Sequence, residues 1–454
     1  MTLLDDLRAA VSDAHVLVDA DVRASYETDW TGRFRGSCVA VVRPADTAEV
    51  AAVVRACAAA RQPLVVQGGN TGLVGGSVPG GGEVLLSLTR LDSLGHVDAA
   101  SAQVTAGAGV TLAGLQQHAR AADLDFGVDL AARDSATVGG LVATNAGGIR
   151  VLRYGSMRAQ VMGAEAVLAD GSIVRRLGGL AKDNTGYDLV SLLCGSEGTL
   201  AILTQLRLRL VPRLRARCVA LLALADTRAA VNVLPALRER LPDLAAAELF
   251  YAAGLSLVRG YAGLPAPFPV EHPAYLLIEC AGRNDPTDQL LETVGEVDGL
   301  LDATVATDAS TQRALWAYRE QHTEAIGAAG VPVKLDVAVP VGSLPELVDR
   351  LPAVIEAAAP GAVPIVFGHV NEGNLHVNVL AAGDRSVQVS DGVLHLVAAL
   401  AGSISSEHGV GRAKVAWLGL SRSAAEIAAM QAVKGGLDPQ RLLNPGVLLP
   451  RAAH

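Results

Sequence analysis

The chain has 454 residues and a formal net charge of −9, and half of its residues are hydrophobic although only 3% are aromatic. This length exceeds what one hydrophobic core fills, so we expect two domains whose cores are built from Ala, Val and Leu. The acidic balance, without a basic run, excludes a nucleic-acid-binding protein, and no apolar run is long enough to predict a membrane span.

The N-terminus and the cysteines predict a cytoplasmic protein. Residues 1–6 lack the basic and then apolar layout of a signal peptide. The five cysteines lie far apart, without a C-x-x-C pair. This spacing disfavours an iron–sulfur centre or a disulfide framework and suits a reducing compartment.

The first half of the chain alternates short apolar strands with Ala-rich helices. Turn and capping signals separate these elements, notably the capping box at Asp46 and the hairpin turn Asp170-Gly171. We predict strands at 38–42, 64–66, 84–88, 103–106 and 206–211, helices at 46–60 and 111–122, and a hairpin over 164–176.

A second α+β unit begins near residue 213. The predicted strands are 219–224, 275–278 and 333–339, and the predicted helices are 228–241, 288–297, 312–328 and 344–358. This order indicates a ferredoxin-like sheet with helices on one face, so the predicted fold class is α+β. Residues 437–450 have a loop composition and are predicted to return to the first domain.

Three glycine clusters lie in the first half, at 67–77, 137–148 and 194–199. Glycine lets the backbone approach a ligand closely, so that successive N–H groups can converge on a phosphate. Together the clusters predict a bound dinucleotide. Gly107-Ala-Gly109 lacks the βαβ context and the later acid of a nicotinamide-binding Rossmann site.

A pair of histidines near the C-terminus predicts a metal site. Residues 363–380 have the pattern of a β-hairpin whose loop, 371–374, would place His369 opposite His376 on one face. Glu407 could supply a third, anionic ligand, which leaves His408 beside the metal and uncommitted to it. Two imidazoles, one carboxylate and open positions are typical of a catalytic metal centre, most plausibly Zn²⁺.

These motifs resemble the vanillyl-alcohol-oxidase, or p-cresol-methylhydroxylase, type of FAD-linked enzymes. The resemblance rests on the glycine loop at 68–77, the segments 135–148 and 195–200, Leu443-Asn-Pro-Gly446, and 406–411 together with the histidine hairpin. It covers roughly residues 30–450 and matches the branch that oxidises D-2-hydroxy acids. It implies a two-subdomain flavin domain at 1–212, a substrate domain with the metal site at 213–410, and a segment, 411–454, that packs back on the flavin domain.

The resemblance also implies which residues would hold the FAD. Covalently flavinylated relatives have a His in the loop where this chain has Asn70, so we expect non-covalent FAD. The implied cofactor-binding residues are Gly68, Gly69, Asn70, Thr71, Gly72, Ser77, Ser135, Gly139, Gly140, Thr144, Asn145, Glu197, Gly198, Ile202 and Asn444.

The substrate implied by the resemblance is D-2-hydroxyglutarate. Arg319 and Thr323 are four residues apart on a predicted helix, and with Lys334 they would bind the distal carboxylate. Asn378 would bind the substrate from the face of His376, and His408 would act as the general base. Arg412 and Ala338 stand where relatives often have Lys and Ser, which puts the side pocket in doubt.

The sequence leaves other functions open. D-lactate or glycolate could be oxidised with the same flavin and metal. A metal-dependent hydrolase and a catalytically silent flavin-binding subunit are alternatives of other classes. The electron acceptor, an electron-transfer flavoprotein or a quinone, is not specified by any residue. A homodimer would be an ordinary assembly for such an enzyme.

Overall fold

The computed structural model describes residues 2–450, and their contacts divide the chain into two units. The first unit comprises the residues up to 148, residues 154–213 and the segment from 407 onwards. The second comprises residues 149–153 and 214–406. Between residues 2 and 450, no helix combines the length and apolar character that crossing a bilayer requires.

The elements up to residue 213 follow the predicted alternation, and the strands, helices and hairpin predicted there are confirmed to within a few residues. The strands are β1 (Val16–Leu17), β2 (Cys38–Val42), β3 (Leu64–Gln67), β4 (Glu83–Ser87), β5 (Gln103–Gly107), β6 (Leu124–Asp125), β7 (Val161–Val167), β8 (Ile173–Arg176), β9 (Ile202–Arg209) and β10 (Val211–Pro212). The helices are α1 (Leu3–Val11), α2 (Ala20–Ala24), α3 (Thr47–Ala59), α4 (Leu112–Ala121), α5 (Val138–Thr144), α6 (Val151–Tyr154), α7 (Met157–Gln160) and α8 (Leu189–Leu193).

Two four-stranded sheets organise the first unit. One has the order β1-β2-β4-β3, with β4 parallel to both β2 and β3, and the other is antiparallel with the order β5-β9-β7-β8. Helix α3 begins at Asp46, whose side chain accepts a hydrogen bond from the Glu49 N–H at 2.9 Å. Both cores consist mainly of Val, Leu and Ala, as the composition predicts.

The C-terminal segment packs back on the first unit through backbone hydrogen bonds. After α16 (Leu418–Ser421) and α17 (Ala424–Leu437), the chain runs beside β3. The Leu64 N–H donates to the Leu442 carbonyl, and the Asn444 N–H donates to the Leu64 carbonyl, both at 2.8 Å. This pairing extends the edge of the first sheet and places Asn444 among the glycine loops.

The second unit is built from seven strands and the helices between them. Its strands are β11 (Ala216–Leu224), β12 (Leu244–Tyr251), β13 (Ala274–Gly282), β14 (Leu300–Ala306), β15 (Val333–Ala338), β16 (Val363–His369) and β17 (Asn374–Leu380). Its helices are α9 (Thr227–Arg240), α10 (Ala252–Ala262), α11 (Thr287–Glu296), α12 (Ala309–Glu320), α13 (His322–Ala329), α14 (Leu344–Ala358) and α15 (Ser386–Ala399).

These strands form one antiparallel sheet with the order β14-β11-β13-β12-β16-β17-β15. Strands β11 to β14 therefore lie in the 4-1-3-2 order of a ferredoxin-like unit. Strands β15 to β17 repeat the first three strands of that arrangement, and the β12–β16 pairing joins the two parts edge to edge. The predicted α+β class with a ferredoxin-like unit is confirmed.

One predicted helix of this unit is wrong, and strand β12 was missed. The helix predicted at 312–328 is two helices that meet at Gln321, because the His322 ring hydrogen-bonds to the Arg319 carbonyl at 3.1 Å. In a continuous helix that carbonyl would accept the Thr323 N–H. Strand β12 was not predicted at all, because its Ala-rich sequence has no strand-like composition.

His322 itself lies fully buried in the core of the second unit. Its ring contacts Phe250 and Phe367, with centroid distances of 5.4 and 4.8 Å, and its Nε2 atom has no hydrogen-bond partner. Burial, reinforced by the charge of Arg319, lowers the pKa of His322 from 6.5 to about 3. The imidazole is therefore neutral in the folded protein at any working pH.

This burial makes stability depend on pH. Below about pH 6.5 the unfolded chain binds a proton at His322 that the folded chain does not bind. The free energy of unfolding therefore decreases as the pH is lowered. Between pH 7 and pH 5 we expect this residue to account for a loss of about 2 kcal/mol. Denaturant unfolding should show that His322→Leu removes this loss, whereas His395→Leu, at a half-exposed position, should not. An unchanged pH slope in His322→Leu would contradict the assignment.

Candidate active site

The two predicted metal-binding histidines lie on one face of the β16–β17 hairpin, but in a different register from the predicted one. His369 is opposite Asn374 and His376 is opposite Phe367, because the loop is 370–373 rather than 371–374. Gly373 ends the loop with φ +69°, and a Cβ there would lie 2.0 Å from the Val339 carbonyl oxygen. The shift of two residues keeps both rings on the same face.

The diagonal arrangement still brings the two imidazoles together. Their ring centroids are 5.4 Å apart, the rings are nearly perpendicular, and one ring nitrogen of each lies within 4.8 Å of the other. Two imidazole nitrogens at this separation can bind one cation. The prediction that His369 and His376 lie on one face of the hairpin is therefore confirmed, although the predicted register is wrong.

A buried carboxylate lies behind each imidazole, and neither was predicted. Glu248 Oε1 on β12 accepts a hydrogen bond from His369 Nδ1 at 2.6 Å. Asp336 Oδ1 on β15 lies 3.6 Å from His376 Nδ1 and is itself held by the Asn374 amide at 2.8 Å. The hydrogen bond to Glu248 fixes the orientation of the His369 ring and makes Nε2 the nitrogen that would bind a metal. The contact between Asp336 and His376 is too long for a hydrogen bond.

Arg319 is also held by Glu248. Its Nε donates to Glu248 Oε2 at 2.7 Å, and its guanidinium lies 4.5 Å from the centre of the Phe367 ring. Burial alone would raise the pKa of Glu248, but the charges of His369 and Arg319 outweigh it and lower that pKa. Arg319 is therefore a buried, oriented cation rather than part of a solvated helix face.

The other predicted substrate-binding residues lie on three different elements. Thr323 is half-buried in the first turn of α13, after the break that separates it from Arg319. Lys334 on β15 is opposite Asn378 on β17, which is buried, and Asn378 shares its face with His376. This face of the sheet therefore carries Lys334, Asn378 and the two imidazoles.

Glu407 and His408 lie where the chain leaves the second unit. The preceding residue, Ser406, donates its N–H to Asp336 Oδ2 at 2.9 Å, which ties the chain to the carboxylate behind His376. Glu407 and His408 follow directly and are half-buried, and their contacts assign them to the first unit. The hydrogen bond of Ser406 thus holds the last residue of the second unit, directly before Glu407 in the sequence.

In the first unit, the glycine loop at 68–77 lies against the segment before α5. A Cβ on Gly68 would lie 2.2 Å from Thr137 Oγ1, and one on Gly69 would lie 1.8 Å from the Ser135 carbonyl oxygen, so only glycine allows this approach. Beside Gly72, in contrast, there is open space. Thr137 Oγ1 is buried without a hydrogen-bond partner. An unsatisfied buried hydroxyl beside exposed loop backbone fits a cofactor with hydrogen-bonding phosphate oxygens.

Within this loop the Asn70 amide is held by the protein. Its nitrogen donates to the Thr28 carbonyl at 2.8 Å, and its oxygen accepts from Ser77 Oγ at 3.0 Å. Asn70 has a positive φ of 53°. The amide therefore shapes the loop, and Thr71 and Gly72 follow it toward the open side.

Several of the implied cofactor-binding residues support the loops from within. Glu197 accepts the N–H groups of Val410 and Gly411 at 2.8 and 2.7 Å, and burial raises the pKa of its carboxyl. Asn444 bridges the Val66 N–H and the Glu197 carbonyl at 2.8 and 2.7 Å. These side chains join β3 to the third glycine cluster, so any contact with a cofactor would have to come from their backbone.

A second group of implied cofactor-binding residues is also structural in its contacts. The Asn145 side chain ends α5 and accepts from Ser156 Oγ and from the Arg158 N–H. Gly139 packs against Ala108, where a Cβ would lie only 2.6 Å away, and Ile202 belongs to the core. Gly140 and Thr144 remain half-buried on α5, and Ser135 is exposed before it.

The sequence contains signals for the residues that its patterns did not at first single out. Glu248 and Asp336 are each the only acid in a mainly apolar strand, and a lone buried acid requires a partner. Thr137 is the first residue of the second glycine cluster, two positions before Gly139. Searching for isolated charges in predicted strands would have identified Asp336. The same search would have missed Glu248, because the composition of β12 does not predict a strand.

Comparisons with known proteins agree with this arrangement. Residues 39–176 match the family described as an FAD binding domain, and residues 213–448 match the C-terminal domain of FAD linked oxidases. The structure resembles p-cresol methylhydroxylase solved with substrate bound, with a TM-score of 0.78 and 17% identity over 98% of this chain and 95% of that one. That identity supports the fold alone.

Two sequence relatives extend over nearly the whole chain. A mitochondrial D-2-hydroxyglutarate dehydrogenase of Danio rerio is 36% identical over 97% of this chain and 84% of the relative. A D-2-hydroxyglutarate dehydrogenase of Xanthomonas citri pv. viticola is 38% identical over 93% and 92%, respectively. The chain therefore belongs to the FAD-linked oxidase family, as a flavin-dependent oxidoreductase with the fold of p-cresol methylhydroxylase and with D-2-hydroxyglutarate dehydrogenases among its relatives.

Proposed function

We propose that this protein oxidises a D-2-hydroxy acid, D-2-hydroxyglutarate above all, to the corresponding 2-oxo acid. The observation that carries the proposal is that one buried carboxylate, Glu248, orients both an imidazole of the histidine pair and the Arg319 guanidinium. A metal-binding group and a carboxylate-binding group at fixed positions suit a substrate with two carboxylates. D-lactate or glycolate would need only the first of these groups.

The FAD would be held by the glycine loops of the first unit. Backbone N–H groups around Gly68, Gly69 and Gly72 would bind the pyrophosphate, and Thr137 Oγ1 would gain the partner it lacks. When bound, FAD supplies a two-electron acceptor for the hydride from C2 of the substrate. The Asn70 amide is held by Thr28 and Ser77 and is not a nucleophile, which supports non-covalent binding.

A divalent cation, Zn²⁺ by ligand type, would be held by His369, His376 and Glu407. When bound, the cation supplies a Lewis acid for the substrate's C1 carboxylate and 2-hydroxyl. Glu248 holds the His369 imidazole in orientation through a hydrogen bond, and the Asp336 carboxylate lies 3.6 Å from His376 Nδ1. His408 would accept the hydroxyl proton as the general base, the role that imidazole side chains most often have in proton transfer.

The remaining residues bind the substrate away from the reacting carbon. Arg319 keeps its Nη groups for the distal carboxylate because its Nε is bonded to Glu248. Thr323 and Lys334 would add a hydroxyl and a second cation, and Asn378 would hydrogen-bond from the face of His376. An electron-transfer flavoprotein or a quinone would reoxidise the flavin. The predicted cytoplasmic location stays a prediction, since the relative from Danio rerio is named as mitochondrial.

The proposal is tested by the colour of the purified protein. Anaerobic D-2-hydroxyglutarate should bleach the flavin absorbance of a yellow preparation, and removal of the metal with a chelator should slow the bleaching until Zn²⁺ is restored. Bleaching by D-lactate alone would favour the monocarboxylate alternative. A colourless protein would favour a metal-dependent hydrolase, and a yellow protein that no hydroxy acid bleaches would favour a silent flavin-binding subunit.

His408→Ala should lower the rate of flavin reduction by about 10²-fold or more, because no other group would accept the hydroxyl proton as efficiently. Stopped-flow absorbance measures this rate, and elemental analysis should show unchanged metal content. His395→Ala, at a half-exposed histidine on α15, is the matched control. Flavin reduction at the wild-type rate would exclude His408 as the base.

Arg319→Lys should impair binding of the dicarboxylate selectively. The variant keeps a cation beside Glu248 but loses the planar pair of donors, so KM for D-2-hydroxyglutarate should rise by roughly 10- to 100-fold. KM for D-lactate should change by less than about 3-fold, because D-lactate has no distal carboxylate. Arg217→Lys, which affects a similar pair with Glu279 on the same sheet, controls for general destabilisation. Equal increases for both acids would rule out the distal role of Arg319.

A further inference from the structure

Glu248 has no direct contact with substrate in the proposed reaction, yet it holds two of the residues that would bind the metal and the substrate. It lies at the middle of β12, between β13 and β16, and is 1% exposed. Each of its two oxygens accepts one hydrogen bond, Oε1 from His369 at 2.6 Å and Oε2 from Arg319 at 2.7 Å. A fully buried carboxylate requires this degree of pairing, so both bonds are part of what keeps the charge inside the sheet.

We propose that Glu248 is a positioning residue that couples metal binding to the recognition of the distal carboxylate. Because one carboxylate holds both partners, His369 and Arg319 keep a fixed separation and orientation. The site thereby selects hydroxy acids with a second carboxylate at one distance from the first. This inference rests on the proposed function and assigns to Glu248 a role in substrate specificity.

The bond to His369 determines which nitrogen the ring offers. A carboxylate accepts hydrogen bonds only, so Nδ1 carries a proton in either charge state and Nε2 is the nitrogen that a cation would bind. Loss of such a carboxylate typically weakens metal binding by about 10- to 100-fold. Metal affinity does not depend on turnover of a substrate, so this loss can be measured by adding metal to the metal-free protein.

The bond to Arg319 determines which edge of the guanidinium is available. Among residues 2–450, Glu248 is the only hydrogen-bond acceptor of this guanidinium. Its two Nη groups thus remain for a ligand, and the Phe367 ring, 4.5 Å away, supports the plane of the guanidinium. Without Glu248, neither the rotation of the guanidinium nor its distance from His369 would be set.

Charge gives a second reason for coupling. Arg319 and a cation at His369 are both positive and share one buried anion between them, so the carboxylate offsets their repulsion. A neutral amide cannot do so, and its NH2 group, which replaces one of the two acceptor oxygens, cannot accept a hydrogen bond from either Arg319 or His369. Glu248→Gln should therefore affect the metal and the distal carboxylate together.

The test compares Glu248→Gln with Glu279→Gln. Glu279 is also buried in this sheet and accepts hydrogen bonds from Arg217 and Trp316 at 3.1 and 2.8 Å, but it contacts neither histidine. In Glu248→Gln, Zn²⁺ affinity of the metal-free protein, measured by competition with a chromophoric chelator, should fall by roughly 10- to 100-fold. The ratio of kcat/KM for D-2-hydroxyglutarate to that for D-lactate should fall at least about 10-fold. Glu279→Gln should change neither quantity.

Glu248→Asp provides a variant for the case that Glu248→Gln does not fold. It keeps the charge but shortens the side chain by one methylene, so it should retain more Zn²⁺ affinity than Glu248→Gln while still losing part of the substrate ratio. A fall in Zn²⁺ affinity with an unchanged ratio, or the reverse, would overturn the coupling. Wild-type protein that oxidises neither acid would refute the proposed function, whereas the Zn²⁺ titrations would still decide whether Glu248 positions His369.

Discussion

The buried carboxylate of Glu248, shared between His369 and Arg319, is the interaction on which the site in the second unit depends. An isolated charge in this position would cost several kcal/mol, so the carboxylate is tolerable only with both partners in place. The same pairing removes rotational freedom from an imidazole and a guanidinium that would otherwise sample several rotamers. The same two hydrogen bonds of Glu248 thus stabilise the sheet and orient the functional groups.

The first unit meets a different constraint by different means. Its predicted cofactor loops use backbone rather than charged side chains, and the approach of Gly69 to the Ser135 carbonyl leaves no room for a Cβ. Polar side chains such as Asn444 and Glu197 connect these loops from inside. The carboxylate of Glu197 accepts two backbone N–H groups, so a loop from near the C-terminus is held by a residue some two hundred positions earlier.

Much of this could be predicted from local pattern. Turn residues after β16 and the cap at Asp46 correctly indicate a hairpin and the start of a helix, because their causes are local backbone preferences. Errors arose where side-chain hydrogen bonds or strand pairing override the local backbone preference. Gln321 interrupts a continuous helical pattern because the His322 ring takes up the Arg319 carbonyl. Strand β12 has the composition of a helix but is paired on both sides, which overrides its intrinsic preference.

The order of residues along the chain was enough to identify the histidine pair on one hairpin face, the neighbouring residues Glu407 and His408, and the glycine-rich loops. These follow from spacing, because strand periodicity and turn chemistry act over a few residues. The folded arrangement was needed to establish that Glu248 stands behind His369, that it also holds Arg319, and that the hairpin register differs by two residues. The partners of the buried Glu248 charge depend on which strands become neighbours in the folded chain. No local sequence pattern specifies that β12 lies beside β16.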